Sequence, residues 1–157
     1  MFDAAGVRMF RQAIADDRDG LDEMTLEGLR HWGHHEDHPE AYADLVDLLA
    51  TEPGPENFPV FVLVEDGQVV GFYELRDRGD HVELLRLFMR SDLIGRGYGR
   101  MLWSHAVDQA KKMHDWMLIK SHPRAVGFYA TMGATFERNV EVAPGFFLDV
   151  YRFDLQP

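Results

Sequence analysis

Three glycines alternate with larger residues in the segment 94–100, which reads IGRGYGR. It follows an apolar run ending in Leu87-Phe88-Met89 and precedes residues 101–113, whose apolar positions recur at helical spacing. Glycine allows positive φ and close approach of the backbone to a bulky group, and a helix N-terminus offers unpaired N–H groups and partial positive charge. We therefore expect a pyrophosphate-bearing ligand here, with Arg96 and Arg100 adding full charges. The alternative is a tight strand-to-helix connection that needs glycines only for its shape.

The 157 residues predict one domain, 1–157, with a core that needs neither disulfides nor metal. The chain has no cysteine, which excludes thiol nucleophiles and fits a reducing compartment. No run approaches membrane-spanning length and the N-terminus lacks a signal-peptide pattern, so we expect a cytoplasmic protein without a membrane partner. The net charge of −11 disfavours nucleic-acid binding and favours cationic or amine-bearing partners.

Periodicity and turn residues predict the elements that position the loop. Asp66-Gly67 and residues 77–80 are turns between three successive strands, which predicts an antiparallel meander. Strands are predicted over 7–13, 59–64, 68–76, 81–89, 116–120, 134–141 and 146–155, and helices over 16–32, 39–50, 101–113 and 124–132. The expected buried stripes of the first two helices are Leu21, Met24, Leu26, Leu29 and Trp32, and Tyr42, Leu45, Val46, Leu48 and Leu49.

This order of elements, over nearly the whole chain, resembles the GNAT acetyltransferase superfamily. Two segments carry the resemblance: Leu87-Phe88-Met89 with the loop 95–100, which is similar to the family's acetyl-CoA motif, and Ala125–Ala134, AVGFYATMGA, which is similar to its "A…FY…GA" helix and strand start. The resemblance implies an α+β fold in α/β/α layers. Its sheet would be mixed, mostly antiparallel and of about seven strands, with helices on both faces.

The resemblance also implies acetyl-CoA as cosubstrate and no metal. The implied cofactor-binding residues are Leu87, Phe88, Met89, Ile94, Gly95, Arg96, Gly97, Tyr98, Gly99, Arg100, His122, Phe128 and Tyr129. The chain departs from the family at three positions. Ile94 stands where many members have Arg or Gln, His122 where many have Asn, and Met117 where some have a glutamate that acts as the base.

By the same resemblance, an amine attacks the thioester directly and Tyr129 returns a proton to the leaving thiolate. A phenol is a suitable acid for this step, and the alternative is that Tyr129 is a packed aromatic with an exposed hydroxyl. The attacking amine must lose a proton, and Glu83, on the strand leading to the thioester site, is the candidate catalytic base. Glu74, on the neighbouring strand, is a second candidate, and the histidines His31, His34, His35 and His38 are another candidate group. The alternative for either glutamate is a solvated strand residue.

The acceptor pocket is expected to include His31, Trp32, His34 and Glu74. Four histidines, His31, His34, His35 and His38, fall at helical spacing and would suit a metal, but Gly33 and Pro39 weaken such a helix. A polar wall facing the amine acceptor is the preferred interpretation, and surface histidines without a role are the alternative.

The sequence therefore predicts an acetyl-CoA-dependent N-acetyltransferase for a primary amine of a small molecule or protein. The competing hypothesis is a GNAT-like domain that binds coenzyme A as a sensor with weak turnover. A P-loop or dinucleotide site is disfavoured because no Lys-Ser/Thr pair follows Gly99. Apolar residues in the last strands would allow a homodimer.

Overall fold

A computed structural model of the protein describes residues 7–156. Its seven strands form one sheet in the order β1-β2-β3-β4-β5-β7-β6, in which only β4 and β5 are parallel neighbours. The strands are β1 Arg8–Gln12, β2 Val60–Glu65, β3 Gln68–Asp77, β4 Val82–Met89, β5 Trp116–Ser121, β6 Thr135–Ala143 and β7 Phe146–Asp154.

Helices cover both faces of this sheet. They are α1 Arg18–His31, α2 His34–Asp37, α3 Pro39–Thr51, α4 Tyr98–Ala110 and α5 Val126–Thr131. Helix α4 packs on one face, where Leu102, Ala106 and Ala110 are fully buried. Helix α1 packs on the other, where Leu21 and Met24 join a second apolar cluster. The mixed sheet between two helical layers confirms the expected fold. No helix within residues 7–156 is long and apolar enough to cross a bilayer.

The meander forms because the sequence supplies its turns. Asp66 and Gly67 both adopt positive φ, 51° and 82°, which matches the tight hairpin predicted between β2 and β3. The predicted strands all exist, with ends within about two residues of the predicted ones. Helix α4 begins at Tyr98, three residues before the prediction, because the apolar periodicity used to place it is weak in the glycine segment.

Two predictions about the first helices were wrong. Helix α1 buries Thr25 and Gly28 together with Leu21 and Met24, whereas Leu26 and Leu29 are only half-buried. Helix α3 buries only Leu49, while Val46 and Leu48 are exposed. The stripe predictions assumed that each helix packs along its full length, but α3 contacts mainly α2.

A short helix, α2, was also not predicted. Gly33 adopts φ 79°, which ends α1 and turns the chain, and the backbone N–H groups of Glu36 and Asp37 then bond the Gly33 carbonyl. The four histidines therefore do not share one continuous helix face. His34 turns inward and is buried.

A bulge in β4 bends the strand away from its neighbour. Glu74 pairs with Arg86 and Leu75 with Leu84, so Leu85 is an extra residue on the β4 side. Beyond the bulge β4 no longer pairs with β5, whose partners are only Val82 to Leu84. The sheet opens at this point, next to the start of α4.

Candidate active site

The opening between β4 and β5 leaves one edge of β4 free. The two strands share three residue pairs, which end at Leu84 and Ile119. From Arg86 to Met89, β4 pairs with β3 on one side but with no strand on the other within residues 7–156. Backbone groups on such an edge can bond an extended ligand as an added strand would.

The glycine segment leads from β4 into α4. Gly95 and Gly97 adopt φ values of 84° and 90°, in the left-handed region that other residues rarely occupy. A Cβ at either position would meet nothing within 4 Å. Glycine is therefore required by the backbone conformation at these positions, and a lack of space for a side chain is not the reason. Gly97 is the N-cap of α4, and no side chain caps that helix end. Its first-turn N–H groups are therefore available to an anion.

Gly99 is glycine for a different reason. A Cβ there would lie 3.1 Å from Met89 Cε and 3.1 Å from Phe128 Cε1, so a side chain would crowd both residues. The absence of a side chain lets the start of α4 lie directly beside β4 and α5.

One cavity of about 490 Å³ joins the free β4 edge to the start of α4. Its walls come from four parts of the chain: the end of α1, the end of β4, the glycine segment and the segment that includes α5. The lining residues are Gly28, Trp32, Leu87, Phe88, Met89, Ile94, Gly95, Gly97, Gly99, Arg100, Arg124, Ala125, Gly127, Phe128, Tyr129, Thr131 and Met132. Most of this lining is apolar, and Arg100 and Arg124 supply positive charge.

The α5 wall presents an aromatic pair. The rings of Phe128 and Tyr129 meet edge to face with centroids 5.2 Å apart, and Trp103 of α4 lies 5.9 Å from Tyr129. Burial raises the pKa of Tyr129, so its hydroxyl stays protonated at neutral pH. The cavity lining therefore includes a protonated phenol.

The opposite wall comes from α1. A Cβ at Gly28 would lie 2.5 Å from Phe88 Cδ1, which shows how closely the helix backbone approaches the β4 side chain. Trp32 follows one turn later. Its carbonyl accepts a hydrogen bond from Arg124, whose other guanidinium nitrogen lies 3.0 Å from Asp37.

The sequence profile of the acetyltransferase (GNAT) family matches residues 21–134, which is most of the chain. The chain belongs to this family. The matched region contains most of α1, the free edge of β4, the glycine segment and α5, and it includes all residues that line the cavity. No curated protein is similar enough in sequence to count as a relative.

Solved structures show the same GNAT fold at low sequence identity. The GCN5-related N-acetyltransferase from Rhodopseudomonas palustris superposes with a TM-score of 0.76 at 17% identity, over 96% of this chain and 97% of that one. YncA from Salmonella typhimurium, solved with its cofactor acetyl-CoA, gives 0.68 at 20%, over 97% and 96%. PaiA N-acetyltransferase from Thermoplasma acidophilum, solved with coenzyme A, gives 0.66 at 18%, over 94% and 99%.

Ten residues predicted from GNAT motifs to bind the cofactor line the cavity. They are Leu87, Phe88, Met89, Ile94, Gly95, Gly97, Gly99, Arg100, Phe128 and Tyr129. Arg96 is exposed outside the lining. Tyr98 is buried and points away from the cavity, because its hydroxyl donates to the Glu65 carboxylate at the β2–β3 hairpin, 2.7 Å and 2.8 Å from the two oxygens. Its place in the structure indicates that it anchors the start of α4.

His122 also lies outside the cavity lining. Its Nδ1 accepts a hydrogen bond from the Arg124 backbone N–H at 3.2 Å, so it caps the turn before α5. Burial, together with the positive charges of Arg124 and His38, lowers its pKa. The ring is therefore neutral at pH 7.

Of the predicted acceptor residues, the structure places Trp32 in the cavity lining but not the other three. His31 is exposed and stacks edge to face on Trp32. Glu74 is buried beneath α1, where its two oxygens pair with Arg76 and Arg86. These ion pairs stabilise the bulged region of the sheet and remove Glu74 from the acceptor space.

Glu83, the candidate base, is not in the lining either. It lies at the paired end of β4, before the bulge, and is 5% exposed. Arg78 Nε is 3.1 Å and Lys120 Nζ 3.9 Å from its carboxylate. Two cations at this distance favour an ion-pairing role, which strand alternation in the sequence could not reveal.

His34 is the most unusual polar residue of the GNAT domain. It is 3% exposed, and its Nδ1 is buried without a hydrogen-bond partner. Its ring lies 4.7 Å from Phe146, 5.6 Å from His38 and 6.0 Å from His122. Burial, followed by the charges of His122 and His38, lowers the pKa of His34 to about 4. No three His, Asp or Glu side chains among residues 7–156 are arranged to hold a metal ion.

Sequence reasoning missed Gly28 and Arg124, which both line the cavity. Gly28 falls on the same helical face as Leu21 and Met24, and a glycine within a buried stripe is a usable signal of close approach. Arg124 carries no such signal. Its importance depends on a contact with residues about ninety positions earlier in the chain.

Proposed function

We propose that the protein is an acetyl-CoA-dependent N-acetyltransferase that acts on a primary amine. One observation supports this most strongly: a single cavity joins the free edge of β4 to the start of α4. The first can bond the amide groups of a pantetheine arm, and the second suits a diphosphate. The binding of acetyl-CoA by YncA and of coenzyme A by PaiA, which share the fold, supports the same ligand.

The residues present fit such a ligand. Gly95 and Gly97 leave open space beside the helix N-terminus, and Arg100 adds a charge on the same wall. A backbone N–H near Phe88 or Met89 would polarise the thioester carbonyl, an interaction that typically contributes a few kcal/mol. Tyr129 would donate its hydroxyl proton to the leaving sulfur as the new C–N bond forms and the C–S bond breaks. The proton lost by the attacking nitrogen would pass to water, from which the Tyr129 hydroxyl would be restored.

The distribution of charge supports a cationic acceptor. Residues 15–57, which contain α1, α2 and α3, include 13 acidic residues and two arginines, a net charge of −11 that equals that of the whole chain. The same segment forms the Gly28 and Trp32 wall of the cavity. A field of this sign attracts ammonium groups and raises their rate of encounter, an effect that salt weakens.

Release of free thiol from acetyl-CoA tests the proposal. The chain has no cysteine, so a thiol reagent reports only the product. The panel should contain a polyamine, a lysine peptide, a peptide with a free N-terminus and a neutral aromatic amine. We expect turnover with at least one aliphatic amine, and a kcat/KM that falls with salt for the polyamine. Binding of acetyl-CoA without thiol release from any amine would refute the proposal.

A further inference from the structure

One arginine connects the two sides of the cavity. Arg124 lies between β5 and α5, beside Ala125 of the cavity wall, whereas its partners Trp32 and Asp37 flank the turn between α1 and α2. One guanidinium nitrogen donates to the Trp32 carbonyl, and the other lies 3.0 Å from Asp37 Oδ2. The side chain is 55% exposed, so the ion pair alone contributes little to stability.

The turn at Gly33 lies against this guanidinium. A Cβ at Gly33 would lie 2.7 Å from Arg124 Nη1, the end of a flexible side chain, and it is the φ of 79° that favours glycine at this position. The Trp32 carbonyl stands at the C-terminal end of α1, where backbone oxygens lack helical partners and cations are favoured. Arg124 therefore caps α1 from across the cavity.

The segment that Arg124 holds has little stability of its own. Helix α2 has only four residues, too few for an independent helix. The segment is also attached by the packing of His34 and His38 against Phe146, at the start of β7, and by contacts of His34 with His122 and Tyr42. The position of Trp32 in the cavity wall thus depends on contacts from the side that carries α5.

We propose that Arg124 is a positioning residue that fixes the segment 32–38 to the α5 side and so couples acceptor binding to cofactor binding. When α5 and the turn before it are ordered by a cofactor, the guanidinium transmits that order to the wall that faces the acceptor. This inference rests on the proposed function.

Hydrogen exchange measured by mass spectrometry tests the proposal, with coenzyme A as the added ligand. The backbone N–H groups of Gly33, Glu36, Asp37 and His38 are hydrogen-bonded, so this segment has protection to lose. In Arg124→Ala we expect exchange over 32–38 to rise about fivefold, with β4 unchanged. Coenzyme A should slow exchange of this segment in the wild type and fail to do so in the variant.

Two further variants complete the design. Arg138→Ala is the matched control, because Arg138 is 57% exposed and pairs only with its neighbour Glu137, so exchange over 32–38 should match the wild type. Asp37→Asn removes the ion pair and keeps the bond to the Trp32 carbonyl, so it should give a smaller increase in exchange than Arg124→Ala. Coenzyme A should bind Arg138→Ala and Asp37→Asn within about threefold of the wild type. Because Arg124 itself lines the cavity, the exchange of Arg124→Ala with ligand is measured at saturating coenzyme A.

Unchanged exchange over 32–38 in Arg124→Ala would overturn the proposal. If Arg124→Ala also lost tenfold or more of its affinity for coenzyme A while exchange over 32–38 stayed unchanged, Arg124 would instead be a direct cofactor ligand. Once an acceptor is known, Arg124→Ala should raise its KM more than it lowers kcat. If coenzyme A bound none of the proteins, the proposed function would fail, while the exchange comparison without ligand would still decide whether Arg124 holds the segment.

Discussion

Replacing Gly28 with alanine gives a sensitive test of how α1 meets the cavity. The new Cβ would lie 2.5 Å from Phe88 Cδ1 and 2.9 Å from Cε1. Ordinary contact begins at 3.4 Å, so the ring must move by about 1 Å. Phe88 cannot move freely because it packs on Phe72, with ring centroids 6.2 Å apart. Overpacking of this kind costs about 1–3 kcal/mol.

The same helix provides the control. Gly20 is exposed, and a Cβ there meets nothing within 4 Å. Gly20→Ala should therefore stabilise the protein by up to about 1 kcal/mol through helix propensity alone. Gly28→Ala gains the same propensity and bears the overpacking, so its net effect should be a loss of about 0–2 kcal/mol.

Urea unfolding at pH 7.5 measures both changes. Because Phe88 also lines the cavity, Gly28→Ala should reduce kcat/KM at least about tenfold, whereas Gly20→Ala should leave it unchanged. If Gly28→Ala stabilised the protein as much as Gly20→Ala, α1 would not approach β4 as described, and the proposed wall of the acceptor space would be wrong.

Three further predictions concern single residues. Tyr129→Phe should lower kcat while leaving the calorimetric affinity for acetyl-CoA nearly unchanged, and unchanged turnover would reject its role as proton donor. Arg100→Gln should weaken coenzyme A binding about tenfold and Arg96→Gln much less, because Arg100 lines the cavity and Arg96 does not. Equal effects of the two substitutions would contradict this assignment. The lowered pKa of His34 means that its neutral form is favoured in the folded state. The contribution of His34 to the free energy of unfolding is therefore complete above pH 6.5 and is lost as pH falls toward 4. Urea unfolding should show that the free energy of unfolding falls by about 3 kcal/mol over that range, and that it falls less in His34→Phe. Equal pH profiles for the two proteins would contradict this role of His34.

The sequence allowed the sheet to be predicted well because its signals are local. The Asp66-Gly67 turn and the strands predicted on either side of it define the β2–β3 hairpin without help from distant residues. The glycine segment was placed correctly for the same reason, since the φ values of Gly95 and Gly97 are local requirements.

The acceptor side was predicted less well because it depends on distant contacts. His34 is buried by Phe146, a residue more than one hundred positions later, and Trp32 is held by Arg124. Glu74 and Glu83 resembled solvated carboxylates in the strand pattern, yet Arg86 of β4 pairs with Glu74, and Arg78 of the β3–β4 turn pairs with Glu83. Predicting charge pairs across a sheet requires knowledge of the register of the strands, which cannot be read from a single sequence.

The central claim is that the glycine segment at the start of α4 binds the diphosphate of coenzyme A. Calorimetric titration of the wild-type protein with coenzyme A and, separately, with pantetheine tests it most directly, because pantetheine lacks the diphosphate. Pantetheine also lacks the adenosine 3′-phosphate, so a titration with adenosine 3′-phosphate alone is the control for that part of the ligand. The account predicts that coenzyme A binds at least about a hundredfold more tightly, since several charge-assisted hydrogen bonds depend on the phosphates. Equal affinity for the two ligands, or no binding of coenzyme A, would contradict it.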